Sequence, residues 1–311
     1  MPNFYTRDIE LSEILKDINR GDLQLPDFQR GWVWDNDRIR ELIASVAQSY
    51  PMGAMMFLEY APETINFKYR HFVGTAPDSK PKNLVLDGQQ RLTSLYNALY
   101  SQEATATIGN RGRLIKRFYY IDIDQALSNP NSLSEAVKAV PEDRLIKRDF
   151  DTAVVLDLST PELEFATKMF PLNKVFSGGL DGWMESCREY YNYDKETVKS
   201  LDRFRSSVIK PVESYRSPII QLSKETQKVA VCQVFEKVNT GGVTLDVFDL
   251  VTAVFASENF DLREDWKKRR GKMLSKEVYG VLESVDSSAF LTAATLLSRY
   301  WSKLKDKGKG T

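Results

Sequence analysis

The sequence is poor in histidine and cysteine, and this scarcity excludes several kinds of functional site. It has one histidine, His71, and two cysteines, Cys187 and Cys232. A tetrahedral zinc site, or a nuclease centre with several histidine ligands, needs more of these residues than the chain has. A Ser-His-Asp or Cys-His hydrolase would depend on His71 alone, and the sequence has no Gly-x-Ser-x-Gly motif around a nucleophilic serine.

The sequence also lacks long apolar runs, an excess of charge and the Walker motif. No apolar run approaches the length of a membrane span, and residues 1–20 lack the features of a signal peptide. We therefore expect a cytoplasmic protein with reduced cysteines and no membrane partner. The 43 basic and 43 acidic side chains cancel, so any binding to DNA has to be local. Because the Gly-x-x-x-x-Gly-Lys-Ser/Thr pattern is missing, nucleotide hydrolysis would need a different scaffold.

What is present predicts an α+β protein of two packed units. A chain of 311 residues exceeds the usual size of a single core. Strand and helix patterns are mixed in the first 125 residues and become mainly helical from about residue 130. We therefore divide the chain into a mixed-sheet unit, residues 1–127, and a mainly helical unit, residues 128–311. Two short apolar stretches, Ala153–Leu158 and Pro218–Leu222, are interpreted as strands that return to the first unit.

Apolar periodicity predicts where the elements lie. In the first unit it predicts helices at 9–20, 36–50 and from the turn at 87–88 to about 101, with strands at 53–59, 66–72, 83–86 and 118–123. In the second unit it predicts helices near 132–140, 181–191, 194–210, 224–239, 246–256, 261–275 and 286–304. The strand at 66–72 would place Phe67, Tyr69 and His71 on one face.

Residues 84–91 combine a strand end, a turn and a helix start. The apolar run Leu84–Leu86 ends in Asp87-Gly88, and apolar residues at helical spacing follow from Leu92. The first amides of a helix favour an anion, and a guanidinium such as that of Arg91 can grip phosphate through two parallel hydrogen bonds. The segment is a candidate phosphate site, in which Asp87 either caps the helix or orients a water with a divalent ion. An ordinary turn followed by a solvated arginine is the alternative.

Residues 28–34 hold polar side chains among aromatic ones. Gln29 and Arg30 lie between Phe28 and the tryptophans Trp32 and Trp34, just before a predicted helix. Most of the aromatic area is expected to be core. Polar groups fixed among such neighbours need hydrogen-bond partners, and a phosphate or a base would supply them.

Residues 235–245 form a third segment, Phe-Glu-Lys-Val-Asn-Thr-Gly-Gly-Val-Thr-Leu. A helix is predicted to end at Asn239, with Gly241 or Gly242 as its left-handed cap, and the next helix to start at Thr244 or Asp246. Taken alone, this helix-turn-helix is explained by packing more readily than by function.

Together and in this order, the three segments resemble the N-terminal domain of the GmrSD-type modification-dependent restriction proteins, prokaryotic anti-phage proteins whose hallmark is the Asp-Gly-Gln-Gln-Arg segment. The resemblance spans roughly residues 8 to 300. It implies a core similar to the ParB and sulfiredoxin fold, in which the strand, the turn and the arginine at the helix start bind nucleotide. It also implies hydrolysis of a nucleoside triphosphate, GTP or ATP with Mg²⁺, coupled to recognition of modified DNA.

The resemblance, taken with the residue chemistry, assigns roles to individual residues. The expected catalytic residues are Asp87, Gln90 and Arg91. The expected nucleotide-binding residues are Gln29, Arg30, Gly88, Gln89, Arg91, Lys237 and Asn239. The amides of residues 88–90 and the two arginines would bind phosphates, and the glutamines would fix the phosphates or the attacking water. Lys237 stands where many relatives carry arginine, and lysine makes no bidentate phosphate contact.

Expected DNA contacts are of two kinds, aromatic and basic. The aromatic residues would present an edge to a modified base or to the backbone, and the basic residues would contact phosphates. They are Phe28, Trp32, Trp34, Arg111, Arg113, Lys267, Lys268, Arg269 and Arg270. A basic run by itself is usually a solvated face, so the resemblance carries this prediction.

Three functions from different classes stay open. The chain is a triphosphatase that senses modified DNA, a DNA-binding adaptor that does not hydrolyse nucleotide, or a metal-dependent endonuclease that uses carboxylates. For the third, Asp122 and Asp124 on one face of a predicted strand are the candidate ligands. A histidine-type nuclease domain is missing from this sequence, so we expect cleavage to come from a partner subunit or from a further domain of a longer chain. Homo-oligomers are compatible with all three.

Overall fold

The structure is a computed structural model, and it describes residues 4–27, 29, 31, 34–63, 67–75, 78–109, 113–148, 153–227, 230–231, 234, 248, 251–252, 255, 260–274 and 283–307. The first elements are β1 (Phe4–Glu10), α1 (Leu11–Arg20), β2 (Leu23–Pro26), α2 (Asn36–Ala47), β3 (Met55–Glu59), β4 (Tyr69–Arg70), β5 (Asn83–Asp87), α3 (Gln89–Leu99), β6 (Thr105–Ile108), β7 (Leu114–Asp122) and α4 (Ile123–Ser128). Then follow α5 (Leu133–Ala136), β8 (Val137–Pro141), β9 (Leu145–Arg148), β10 (Ala153–Asp157), α6 (Pro161–Ala166), β11 (Met169–Pro171), α7 (Leu180–Tyr190), α8 (Lys195–Phe204), α9 (Lys210–Glu213), β12 (Arg216–Leu222), α10 (Leu262–Leu274) and α11 (Ser287–Lys307). Helices and strands are mixed along the chain, which confirms the predicted α+β class.

The central sheet has six strands in the order β1-β12-β3-β5-β2-β4. β12 runs parallel to β3 and β2 runs parallel to β5, whereas the other neighbours are antiparallel. β5 is an inner strand, and its residues Leu84, Val85 and Leu86 are buried on both faces, as expected for a strand covered on both sides. The sheet therefore fixes the position of Asp87, the last residue of β5.

A second sheet is built around the long strand β7. β6 and β11 pair with successive parts of one edge of β7, and β8 pairs with β7 as well, all antiparallel. β9 and β10 form a separate antiparallel hairpin.

Helices α1, α2 and α3 contribute to the largest hydrophobic core. α1 buries Leu11, Ile14, Leu15 and Ile18, spaced by three and four, and ends at Gly21, whose φ of 78° suits a left-handed cap. α3 is covered on nearly all sides, because every residue from Leu92 to Leu99 is buried. The same core includes residues from Ile9 to Ile219, so it is shared by distant parts of the chain.

Strands from both sides of residue 127 share these sheets. β12 lies between β1 and β3, which confirms that Pro218–Leu222 is a strand returning to the first part of the chain. β8 and β11 likewise pair with β7. The division into units 1–127 and 128–311 stays a prediction, and any boundary there would cut strand pairs in two sheets.

Several element predictions need correction. The predicted helix at 132–140 is a single short helix, α5, followed by strand β8. Ala153–Leu158 does contain a strand, β10, but in the described part of the chain it pairs with β9 rather than with the central sheet. In the predicted strand 66–72 only Tyr69–Arg70 pairs, His71 is exposed, and Phe72 is buried instead. Strict alternation therefore failed, because Phe67 and Phe72, five residues apart, both turn inward.

The buried carboxylate of Glu164 in α6 links three elements. Glu164 is 2% exposed and accepts hydrogen bonds from Tyr120 Oη at 3.0 Å and Trp183 Nε1 at 2.8 Å. Arg144 Nη1 lies 3.9 Å from the same carboxylate. Burial raises the pKa of Glu164, although the two hydrogen bonds oppose this shift. Its partners make the burial of this charge tolerable.

Candidate functional site

The Asp-Gly-Gln-Gln-Arg segment has the predicted strand, turn and helix, with β5 ending at Asp87 and α3 starting at Gln89, but the N-cap is Gly88 rather than Asp87. The φ of Gly88 is 100°, a region in which a side chain is strained. A Cβ atom at this position would also lie 2.7 Å from Cγ of Met55 on the neighbouring strand β3. Glycine is therefore required here by the backbone and by packing, independently of any ligand.

Arg91 in the first turn of α3 is bound to protein groups. Nη1 donates to the carbonyl of Met52 at 2.7 Å, and Nη2 donates to the carbonyl of Ala54 at 3.1 Å and to Oδ2 of Asp87 at 2.8 Å. Gly53 lies flat against the guanidinium, since a Cβ there would be 2.8 Å from Nη1. The side chains of Arg91 and Asp87 are 17% and 30% exposed. Arg91 thus fixes the segment 52–54 to the start of α3.

These contacts change what the arginine can offer an anion. Nη2 carries two N–H groups and both are used, which leaves one N–H on Nη1 and one on Nε. A bidentate grip on phosphate therefore requires that Arg91 releases at least one of its present partners. Asp87 does not cap α3 with its side chain, because its carboxylate is turned to Arg91.

Gln29 and Gln90 join the segment before α2 to this corner. Gln29 is 6% exposed, and its Nε2 donates to the carbonyls of Val85 at 2.6 Å and Leu86 at 3.1 Å. Gln90 Nε2 donates to the carbonyl of Gly31 at 3.1 Å. In the structure these amides hold two segments of the chain together, and their predicted contacts with phosphate stay predictions.

The Oε1 atom of Gln29 differs from its amide nitrogen. It is buried, and it accepts no hydrogen bond from the residues that the structure describes. A buried acceptor of this kind needs a donor such as a water or the N–H of a ligand. Gln89, the third glutamine of the site, is also buried, at 7% exposed. The corner therefore offers an acceptor as well as helix amides.

The predicted DNA-binding residues that the structure describes lie in three separate segments of the chain. Trp34 packs against the main core, and its carbonyl accepts from Thr107 Oγ1 at 2.8 Å, so most of this residue serves the fold. Arg113 is exposed just before β7. The four basic residues 267–270 are exposed on α10, where Lys268 faces Glu264 at 3.9 Å and Arg269 pairs with Asp265 at 2.6 Å.

Six of the predicted site residues lie outside the described residues. They are Phe28, Arg30, Trp32, Arg111, Lys237 and Asn239. Their assignments stay predictions.

The carboxylates proposed for a metal nuclease are not arranged as expected. Asp122 is the N-cap of α4 and accepts from the amide of Gln125 at 2.9 Å, and Asp124 lies inside α4 with Lys168 Nζ 3.1 Å away. The prediction that both lie on one face of a strand is therefore wrong for Asp124, because the strand ends at Asp122. Within the described ranges no three His, Cys, Asp or Glu side chains come together as metal ligands.

A cavity that the sequence analysis did not identify lies at the other end of α3. It has a volume of about 590 Å³ and is lined by residues of α1, α3 and the segment before α7, among them Asn19, Tyr96, Tyr100, Lys174 and Gly178. The rings of Tyr96 and Tyr100 stack with centroids 5.4 Å apart, and burial raises the pKa of Tyr96 to about 12. The signal in the sequence that points to this cavity is the spacing of the two tyrosines, which lie one helical turn apart.

The comparisons with known proteins identify a family. Residues 11–256 match the family model described as "GmrSD restriction endonuclease, N-terminal domain". An "Uncharacterized protein MJ0686" of Methanocaldococcus jannaschii is 27% identical over 267 residues, which is 82% of this chain and 43% of that protein. This chain thus spans less than half the length of the curated relative that it matches. None of the described helices combines the length and the apolar character that a bilayer crossing requires. The matched region covers most of the chain, which therefore belongs to the family of GmrSD restriction endonuclease N-terminal domains.

Proposed function

We propose that this chain is a module of a prokaryotic restriction system against phage, which binds and hydrolyses a nucleoside triphosphate and senses modified DNA. The observation that carries the proposal is the β5–α3 corner, where a strand end, a left-handed glycine and an arginine in the first helical turn meet in a member of this family. Helix N-termini of this kind attract phosphate. The catalytic roles of Asp87, Gln90 and Arg91 are part of this proposal.

The contacts of Arg91 define how a phosphate would bind. Met52 and Ala54 hold the guanidinium by neutral carbonyls, whereas Asp87 holds it by a charge. An anion competes for the same positive charge as Asp87, so we propose that a phosphate replaces the Asp87 carboxylate on Arg91. The Asp87 carboxylate then leaves its ion pair with Arg91 and holds a divalent ion or orients water.

Phosphate release from GTP and from ATP, with plain DNA, modified DNA or no DNA, tests this function. Arg91→Ala should weaken nucleotide binding at least tenfold, because a charged hydrogen bond contributes on the order of 1.5 to 3 kcal/mol. Arg188→Ala is the matched control, since Arg188 is 22% exposed and pairs with the carboxylates of Glu185 and Asp202. Equal binding and hydrolysis by the Arg91→Ala variant and the parent would contradict the assignment.

One observation favours a second candidate, the DNA-binding adaptor without turnover. Both N–H groups of Arg91 Nη2 already donate to protein groups, as expected if the arginine has a structural role alone. An adaptor binds DNA with an affinity that falls steeply with salt, and it releases no phosphate under any of the conditions above. The same assay therefore separates the two functions.

We propose that DNA contacts the basic face of α10. This helix carries six basic and two acidic residues, and among the described residues Lys267 and Arg270 make no ion pair. Replacing both with alanine should make the negative slope of log K against log salt less steep by about 2, since each phosphate contact contributes about 0.9 to its magnitude. The double variant of Lys195 and Lys199, two exposed lysines on α8, is the control. An unchanged slope would remove α10 from the DNA interface.

A further inference from the structure

Helix α11 is long, projecting and apolar along one side. Every residue from Thr292 to Leu304 is exposed, which corresponds to about 20 Å of helix. Among the residues that the structure describes, the contacts of α11 lie in its first turns, where Asp286 caps the helix through the amide of Ala289 and the ring of Phe290 packs on that of Trp266 with centroids 5.0 Å apart. Helices in water draw most of their stability from packing an amphipathic face, so this arrangement calls for a partner.

The apolar side of α11 has the spacing of a helix-packing seam. Phe290, Ala294, Leu297, Trp301 and Leu304 follow one another at intervals of four, three, four and three residues. The last three are 58%, 62% and 48% exposed, and the flanking Leu296 and Tyr300 are 62% and 61% exposed. We call these seven residues, together with Ala293, the α11 stripe. Exposed apolar patches of this size mark interaction sites.

The charges along α11 are complementary between two copies of this helix in antiparallel orientation. Glu283 and Asp286 lie just before the start of α11, and the last five residues of the helix carry Lys303, Lys305 and Lys307 against one acidic residue, Asp306. An antiparallel pair places the basic end of each copy beside the acidic end of the other, whereas a parallel pair places like charges together.

Side-chain size gives the same orientation. In an antiparallel pair centred on Leu297, the small residues Ala293 and Ala294 of one copy face Trp301 and Tyr300 of the other. A parallel pair would set tryptophan against tryptophan and alanine against alanine, which leaves gaps beside crowded positions. The α11 stripe is thus complementary to itself in one orientation only.

We propose that two copies of this chain associate through the α11 stripe as an antiparallel helix pair. The five large exposed side chains remove roughly 100 Å² each per copy, so the pair buries on the order of 1,000 Å² in total. That is the lower limit for a specific interface, so we expect a reversible dimer. Association by this surface does not involve the β5–α3 corner, so it stands or falls independently of the nucleotide site.

Sedimentation equilibrium of the full chain tests the proposal between about 1 and 100 µM, the range set by the interface area. The parent should shift with concentration from one chain mass, 35.6 kDa, to twice that mass. Leu297→Glu places two charges in the seam and should weaken association by at least tenfold, while Thr295→Glu on the opposite side of the helix should leave it unchanged. Both changes preserve helix propensity, which circular dichroism verifies.

A second variant and a salt series test the orientation. Lys303→Glu combined with Lys305→Glu should weaken the antiparallel pair, and raising the salt concentration should weaken the parent dimer, because both reduce attraction between opposite charges. A chain that stays monomeric throughout overturns the proposal, and so does a dimer that is indifferent to Leu297→Glu. A dimer that salt strengthens overturns the antiparallel orientation.

Discussion

The exchange of Asp87 for a phosphate on Arg91 can be tested by removing one charge. Asp87→Asn keeps the size of the side chain and one oxygen acceptor, but it removes the carboxylate that Nη2 of Arg91 contacts at 2.8 Å. If the carboxylate competes with an anionic ligand, the asparagine variant should bind that ligand more tightly than the parent.

The exposure of the two side chains sets the size of the effect. At 17% and 30% exposed, the pair is intermediate between surface ion pairs, which contribute up to about 1 kcal/mol, and buried ones, whose disruption costs about 3 to 5 kcal/mol. We take about 1 kcal/mol after allowing for solvent screening, which corresponds to roughly fivefold tighter binding of the anion. The same loss should lower the melting temperature by about 2 °C for a chain of this size.

Binding of a non-hydrolysable GTP analogue is measured in the presence of a chelator, so that no divalent ion is held by Asp87. Glu185→Gln is the matched control, because it removes a carboxylate 3.0 Å from another arginine, Arg188. Tighter binding by Asp87→Asn, with slower hydrolysis once Mg²⁺ is added, is the expected pair of results. Weaker binding by this variant without metal would show that Asp87 assists the anion, and the exchange would then be refuted.

Three further predictions concern the stability of the fold and the reactivity of a buried thiol. Gly88→Ala should lower the free energy of unfolding in denaturant by about 2 kcal/mol or more, because of the φ of 100° and the contact with Met55. Gly182→Ala, inside α7 with open space beside it, should instead raise the free energy of unfolding by about 0.5 to 1 kcal/mol. Because the pKa of Glu164 is raised in the folded state, this carboxyl contributes its full stabilisation below pH 4.5, its usual pKa, and less as the pH rises above that value. Glu164→Gln should therefore reduce the fall in melting temperature between pH 5 and 8. A pH profile identical to that of the parent would contradict this prediction. Burial raises the pKa of Cys187 to about 11, so its thiol should resist a disulfide reagent at pH 8 until the protein unfolds, and rapid labelling of the native chain at Cys187 would contradict this.

The sequence predicted best where local rules decide. The end of β5, the turn at Asp87-Gly88 and the start of α3 all follow from apolar spacing and turn chemistry within a dozen residues. The start of the predicted helix at 36–50 is also fixed locally, because Asp35 caps α2 by accepting from the amide of Arg38 at 2.9 Å. Such signals need no knowledge of distant contacts.

The prediction failed where pairing partners are remote. β8 was predicted as helix, yet Val137–Pro141 becomes a strand because β7 offers a free edge beside it. The mostly exposed β1 has little periodicity, and its pairing with β12, more than 200 residues away in sequence, fixes it as a strand. For the same reason the partners of Arg91 could not be derived, since Met52 and Ala54 reach it only through the β3–β5 pairing. Tertiary context overrides local propensity at these positions.

The distribution of contacts on Arg91 also decides which of them a ligand can replace. Releasing the two carbonyls would leave that of Met52, which is partly buried, without its donor at a cost of about 1 to 3 kcal/mol, whereas the exposed carbonyl of Ala54 can bind water. Replacing Asp87 exchanges one anion for another and leaves a carboxylate that is already 30% exposed to find water. The second route is cheaper, so Gly53 and its neighbours can stay in place while the ligand binds. The arginine then holds the fold through its carbonyl partners and serves the ligand through its single charged one, and the two roles do not conflict.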